Sequence, residues 1–492
     1  MQRPIEVIYQ SLVPGISTIT LRYRYYSFFP LILRHYEEKI RHPDPAIFRS
    51  FQRKCEALFA LICAHGDDPE LGITGSDWAG RTLNEITAQS GASGIIDFTV
   101  GADPDADEKL RYLKNKGGAF GAIYSTQMSE MGLVHFADPG QPNPNPVCSD
   151  VALKLADALA AELGDIADRF FEVVASGKIS VSDLGSFAPM KPSHLQPGSR
   201  EHALLKDILL GATEARSLTA QMRRSTLRML LEFTDTLGSV PRAETVKWHW
   251  FENVPAREAA QSQQVPQLWF LYQACDLMRL AYEVILSAAL TMIEAAPRRR
   301  ISLGELTHEL ADTVQTASGE SWDDFSTAIN AEAEVSAARE YAVAMLEAMD
   351  AGDTSEQVQN AISLIAILAE KAKAEHALVE EALSGADYFQ SLRTEGNFLD
   401  RNRSADASRV IADLIRERVL KRHLWVASRK FRNQKAYTFH MEPEEGLLRY
   451  RAPIRVSPSS PRLDQALRFL RDISLIDNGG VTPIGKAELA AA

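Results

Sequence analysis

The sequence predicts a mainly α-helical protein, a multi-helix bundle with small α+β elements near both ends. Three observations lead there. Ala203 to Leu237, Pro266 to Ala296, Leu303 to Val314, Trp322 to Met349, Glu356 to Leu383 and Ser404 to Trp425 all repeat apolar residues at helical spacing. Short breaks rich in proline, glycine or aspartate separate them, which implies bundled or stacked helical pairs. Near each end, a helical pattern runs into a short extended stretch, a turn and another helix. No fixed repeat period is present, so a solenoid is not expected.

The densest chemistry lies at Pro14 to Tyr36, with three arginines, six aromatics and a proline-glycine turn. Ser17 or Thr18 is a plausible N-cap. Tyr25, Phe28, Phe29, Ile32, Leu33 and Tyr36 form one helical face, with a kink expected at Pro30, which lacks a backbone donor. Arg22 and Arg24 would then sit in the first turns, where the helix dipole disfavours cations by a few tenths to about 1 kcal/mol. That placement calls for an internal carboxylate or an external anion.

A second helix is expected from Ile47 to Cys63, followed by a loop from His65 to Gly75. Ile95 to Val100 reads as a short strand. Asp103, Asp105 and Asp107 have the spacing of half a calcium loop, but Pro104 intrudes and the later glycine and glutamate are missing, so no metal is expected there. Gly117-Gly118 opens a helix that carries Met128 and Met131 and ends at Gly132. Without a following Lys-Ser/Thr the pair suits close helix packing better than a phosphate loop. Leu133 to Phe136 then looks extended, a loop runs from Asp138 to Pro146, and a helix spans Ser149 to Leu163. At the other end, Leu463 to Ile476 is an amphipathic helix, followed by Asp477-Asn478-Gly479-Gly480, a sequence suited to a type I′ turn.

Met128-Ser129-Glu130-Met131-Gly132-Leu133-Val134 matches Leu470-Arg471-Asp472-Ile473-Ser474-Leu475-Ile476 in pattern. Both resemble the helix-and-wing arrangement of bacterial winged-helix regulators. The expected domains are 1–165, helical and winged-helix-like; 166–400, a helical bundle; and 401–492, a basic helix, a β-hairpin and a second winged-helix-like element.

The basic segment carries Arg416, Arg418, Lys421, Arg422, Arg429, Lys430, Arg432 and Lys435, opposed only by Glu417 and interleaved with Trp425, Phe431 and Tyr437. Clustered cations release counterions from phosphates, and aromatic rings stack on bases, so DNA or RNA is a candidate partner. The alternative is docking against an acidic face of the same chain or of another protein. The formal net charge of −12 excludes a protein that coats nucleic acid over its whole surface. The candidate nucleic-acid-binding residues are Arg22, Arg24, Lys421, Arg422, Arg429, Lys430, Arg432 and Lys435. No catalytic residue, metal site or cofactor is expected: only one Glu-x-x-His, Glu305 to His308, occurs where a di-metal bundle needs two. A competing nuclease reading would use Asp97, Asp103 and Glu130.

Cys55, Cys63, Cys148 and Cys275 are too scattered for a metal set, and reduced core thiols suit a cytoplasmic setting. No apolar run is long enough to span a bilayer, so no membrane partner is expected. The pattern Pro14-Gly15-x-Ser17-Thr18-x-Thr20-x-Arg22-x-Arg24-Tyr25-Tyr26-Ser27-Phe28 resembles the N-terminal signature of uncharacterised prokaryotic families encoded among phage-defence and restriction genes, often near helicases. The resemblance implies a context, a non-catalytic subunit acting with a helicase or nuclease, and supplies no catalytic residues.

Overall fold

In the computed structural model, the described residues are 1–137, 141, 143–212, 218–255, 265–385 and 388–491. The protein is mainly α-helical, with sheets of only two or three strands among these residues. Residues 138–140 and 142 of the expected Asp138 to Pro146 loop, and 213–217 of the expected Ala203 to Leu237 helix, lie outside them. No helix among the described residues is long and apolar enough to cross a membrane.

The contacts divide the chain differently from the three expected segments. One unit comprises Gln10–Ala243 with Arg462–Ala492, and the other comprises Met1–Tyr9 with Glu244–Pro461. The terminal segment therefore completes the fold of the N-terminal part.

In the first unit the aromatic helix is Tyr25–His35 and packs on Asp150–Leu163. It starts later than Ser17 or Thr18 predicted, and Ser17 instead closes a turn with Thr20. The Ser17 N–H donates to Thr20 Oγ1 at 2.9 Å, whose hydroxyl donates back to the Ser17 carbonyl. Pro30 lies inside the helix, which continues to His35. Phe28 stacks on Phe59 of the helix Pro45–Ala64 at 4.2 Å, and Tyr23 meets Phe469 at 4.7 Å. These rings form the centre of the core. Burial, helped by Glu37 and opposed by Arg34, pushes the Cys148 thiol up to about 12.

The two matched sequence pieces adopt one local structure. Ser125–Glu130 closes with Gly132 left-handed at φ 71°; Gly132 N–H donates to the Ser129 carbonyl at 2.9 Å and Leu133 N–H to the Met128 carbonyl at 2.8 Å. Leu463–Asp472 closes with Ser474 at φ 56°, and its Ser474 and Leu475 N–H groups donate to Arg471 and Leu470, both at 2.9 Å. Both are Schellman closures. A two-stranded antiparallel hairpin follows in each case, Val134 opposite Cys148 and Ile476 opposite Val481. The next helix is then capped by Ser149 or Thr482. The copies differ in how many residues separate the paired strands, eleven between His135 and Val147 and two between Asp477 and Gly480. Asn478 and Gly479 are not left-handed, so the second loop is not the type I′ turn expected. The acids at matched positions do matched jobs: Glu130 accepts the Gly15 N–H and Asp472 the Tyr23 N–H, each at 2.7 Å. They pin both ends of the irregular stretch that precedes the aromatic helix.

The second unit is built on Val265–Ala295, a helix of 31 residues packed against Ala337–Ala351 and Thr354–Ala374. Its Trp269, Phe270 and Tyr272 are buried core. The expected Trp322 to Met349 helix breaks into Trp322–Ala331 and Ala337–Ala351, and Glu356 to Leu383 into Thr354–Ala374 and His376–Ala382. The expected hairpin is present as Met441–Glu444 paired with Leu447–Tyr450, and Arg300–Ile301 adds a third strand. Here Glu445 and Gly446 are both left-handed, at φ 54° and 82°, so this is the hairpin with the mirror-image turn.

Candidate nucleic-acid interface

Arg22 and Arg24 belong to the first unit, and internal carboxylates hold both. Arg24 is 3% exposed, and its guanidinium grips Glu201, which is fully buried, at 2.8 to 3.2 Å. It also donates to the carbonyls of Pro189 and Lys191, and Ser27 completes the shell by donating to Glu201. Arg22 donates to Glu70 at 2.5 Å and to Asp472 at 3.3 Å. Burial raises the Asp472 carboxyl, against the pull of Arg22 and of the Tyr23 amide. Internal carboxylates thus hold both guanidiniums, so the compensating acids expected for these two arginines lie within the chain.

The other six candidates fall in the second unit, on the helix Lys421–Gln434 and its left-handed cap Lys435. Residues 421–435 hold six cations and no carboxylate. The helix continues from a π-helical segment, Leu414–Leu420, whose Arg418 anchors it. Arg418 donates to the buried Glu395 at 2.9 and 2.5 Å, and Glu395 also accepts from Tyr282 at 2.8 Å. Beyond this anchor packing fades, and Ala427 is the buried residue of the helix. Residues 428–435 are all exposed.

The structure sorts the six cations. Lys421 is neutralised by Glu417 at 2.7 Å. Arg422, Arg429 and Lys430 line an open cleft of about 400 Å³ with Phe389, Gln390 and Trp425. Positions 422, 425, 426, 429 and 433 recur every three or four residues, which places them along one face. Arg432 and Lys435 lie outside that lining. Among the described residues, Arg429, Lys430, Arg432 and Lys435 make no ion pair with a carboxylate.

Arg422 reports the local field. Burial first, then Arg418 and Arg429, lower its pKa, with Glu395 opposing, and its Nε is buried without a hydrogen-bond partner. His423, on the inward side, is pushed down to about 4 by burial, His440 and Lys430. Its Nε2 accepts the His440 N–H at 3.1 Å, which requires the neutral ring.

Phe389 was missing from the sequence reading. It lies in a connecting segment outside any periodic pattern, and the Gln390 amide tethers that segment by donating to the Arg418 carbonyl at 3.0 Å. Its aromatic neighbour Tyr388 was the only local hint.

The remaining candidates are engaged elsewhere. The Glu56 carboxylate, buried in the first unit, accepts the N–H groups of Ala119 and Phe120 at 2.7 and 2.8 Å and the hydroxyl of Tyr112. It occupies the place an anion would take at the Gly117-Gly118 helix start. Asp97 accepts from Thr99, Asp103 from the Asp105 N–H, and Glu130 from Gly15. In the second unit Glu380 pairs with Arg393 at 2.8 Å. Among the described residues no three His, Cys, Asp or Glu side chains are grouped to hold a metal ion. No family model matches the chain, and no curated protein or solved structure matches it significantly.

Proposed function

We propose that this protein engages nucleic acid through the helix Lys421–Gln434, as a non-catalytic or scaffolding subunit. The observation that carries the reading is the uncompensated charge of that helix. In a chain of net charge −12, four cations of one exposed segment have no carboxylate partner among the described residues. Acids are abundant overall, so leaving these cations unpaired keeps them available for phosphate oxygens. The sequence resemblance to defence-associated families supplies the setting, a defence or DNA-transaction system, and the neighbouring genes would test that setting.

Fluorescence anisotropy across a salt series tests the contact. Changing Arg429, Lys430 and Arg432 together to alanine should lower affinity and reduce the slope of log K against log salt by about 2 to 3, since each neutralised phosphate contributes roughly 0.7 to 0.9. Unchanged affinity and slope would overturn the reading, and binding of an acidic protein in place of nucleic acid would redirect it to an adaptor role.

A further inference from the structure

The cleft beside this helix has rings as well as charges. Phe389 and Trp425 are 46% and 43% exposed, with their centroids 5.4 Å apart and edge to face. The Arg422 guanidinium lies 4.3 Å from the Trp425 ring centre, and that of Arg429 lies 4.5 Å from Phe389 and 5.4 Å from Trp425. Farther along, Phe431 and Tyr437 are 50% and 57% exposed, at 6.4 Å from each other. Large rings left in water favour a cover, and the chemistry around them specifies it. Flat faces alternate with cations over about three helical turns, which matches a polymer that alternates flat rings with anions. Apolar peptide side chains would cover the rings but leave the cations unmatched. Duplex DNA would match the cations but keeps its base faces inside its own stack, where these rings cannot reach.

We propose that the cleft binds single-stranded nucleic acid, with bases stacking on Phe389 and Trp425 and phosphates held by Arg422, Arg429 and Lys430. The inference rests on the nucleic-acid reading above and narrows it to one strand state. Arg422 is crowded by Arg418 and Arg429, and an incoming phosphate would offset that crowding.

The test uses the full chain with fluorescein-labelled 20-mers at one salt concentration: single-stranded DNA and RNA, and their duplexes. Trp425→Leu and Phe389→Leu keep apolar bulk and remove the ring, Trp425→Phe keeps a ring, and Arg429→Ala/Lys430→Ala removes charge. Circular dichroism confirms that each variant is folded. The expected result is single-strand binding at least roughly tenfold tighter than duplex binding, a further loss of roughly five- to a hundredfold for Trp425→Leu on single strands, and recovery with Trp425→Phe. The charge variant should weaken both strand states. Equal single-strand and duplex affinity, or full single-strand affinity in both leucine variants while the charge variant still weakens binding, would overturn the stacking inference and leave the nucleic-acid reading standing. No binding of any oligonucleotide by the unaltered protein would overturn both.

Discussion

Pro14 to Tyr36 and residues 421–435 look alike as sequence: each mixes cations with aromatics at helical spacing. In the folded protein they are opposites. Tyr23, Tyr25, Tyr26, Phe28 and Phe29 are core, and Arg22 and Arg24 are matched by Glu70, Asp472 and Glu201 from distant positions. In the basic segment Trp425 and Phe431 are exposed, and most of the cations go unmatched among the described residues. The first unit supplies carboxylates to Arg22, Arg24 and the helix start at Gly118, and backbone carbonyls to the buried Arg53 and Arg223. The basic helix has Glu417 for Lys421 and no carboxylate for Arg429, Lys430, Arg432 or Lys435 among the described residues, and that difference separates a fold-stabilising cluster from an uncompensated surface.

The strongest way to break the comparison is at Arg24. Arg24→Met would leave Glu201 buried and uncompensated, and should cost about 3–5 kcal/mol in chemical denaturation, whereas Arg429→Ala should change stability by less than about 0.5 kcal/mol. Equal effects would show that the two regions are not different in kind. A smaller loss, about 2 kcal/mol, is expected for Gly118→Ala. Gly118 has φ 70°, and an added Cβ would stand 2.5 Å from Gln52 Nε2 and 2.6 Å from Glu56 Oε2. Wild-type stability in that variant would mean the Glu56 cap is dispensable.

The inward side of the basic helix gives the next effect. His423 binds a proton near 6.5 when unfolded but near 4 when folded, so the unfolded chain takes up the proton first as pH falls. Stability of the second unit should therefore decrease from about pH 6.5 to 4, by something on the order of 2 kcal/mol, and stay flat above that window. His423→Gln, read by thermal unfolding across pH, should flatten the dependence; an unchanged profile would place the titration elsewhere. The smallest expected effect is that of Arg22→Ala on nucleic-acid binding. The salt slope should not move, because Arg22 already donates to Glu70 and Asp472.

Much of the helical layout was legible in sequence, since apolar periodicity reports local geometry. The helices at Pro45–Ala64, Asp150–Leu163 and Val265–Ala295 fall close to where the pattern placed them. The matched heptapeptides around Glu130 and Asp472 were also legible, because a Schellman closure and a following cap are set within a few residues. Breaks inside Trp322 to Met349 and Glu356 to Leu383 were not, since they fall at Glu332 to Ser336 and at Glu375, where no proline or glycine marks them.

Sequence by itself thus determined the helical class, the duplicated closure and the concentration of charge at 421–435, all of which depend on neighbours along the chain. Tertiary structure alone decided which cations find acids. Glu70, Glu201 and Asp472 come from 48, 177 and 450 positions away in the pairs with Arg22 and Arg24, separations over which composition and spacing carry no information. It also brought Phe389 to Arg429, a ring and a cation forty residues apart that no local pattern connects.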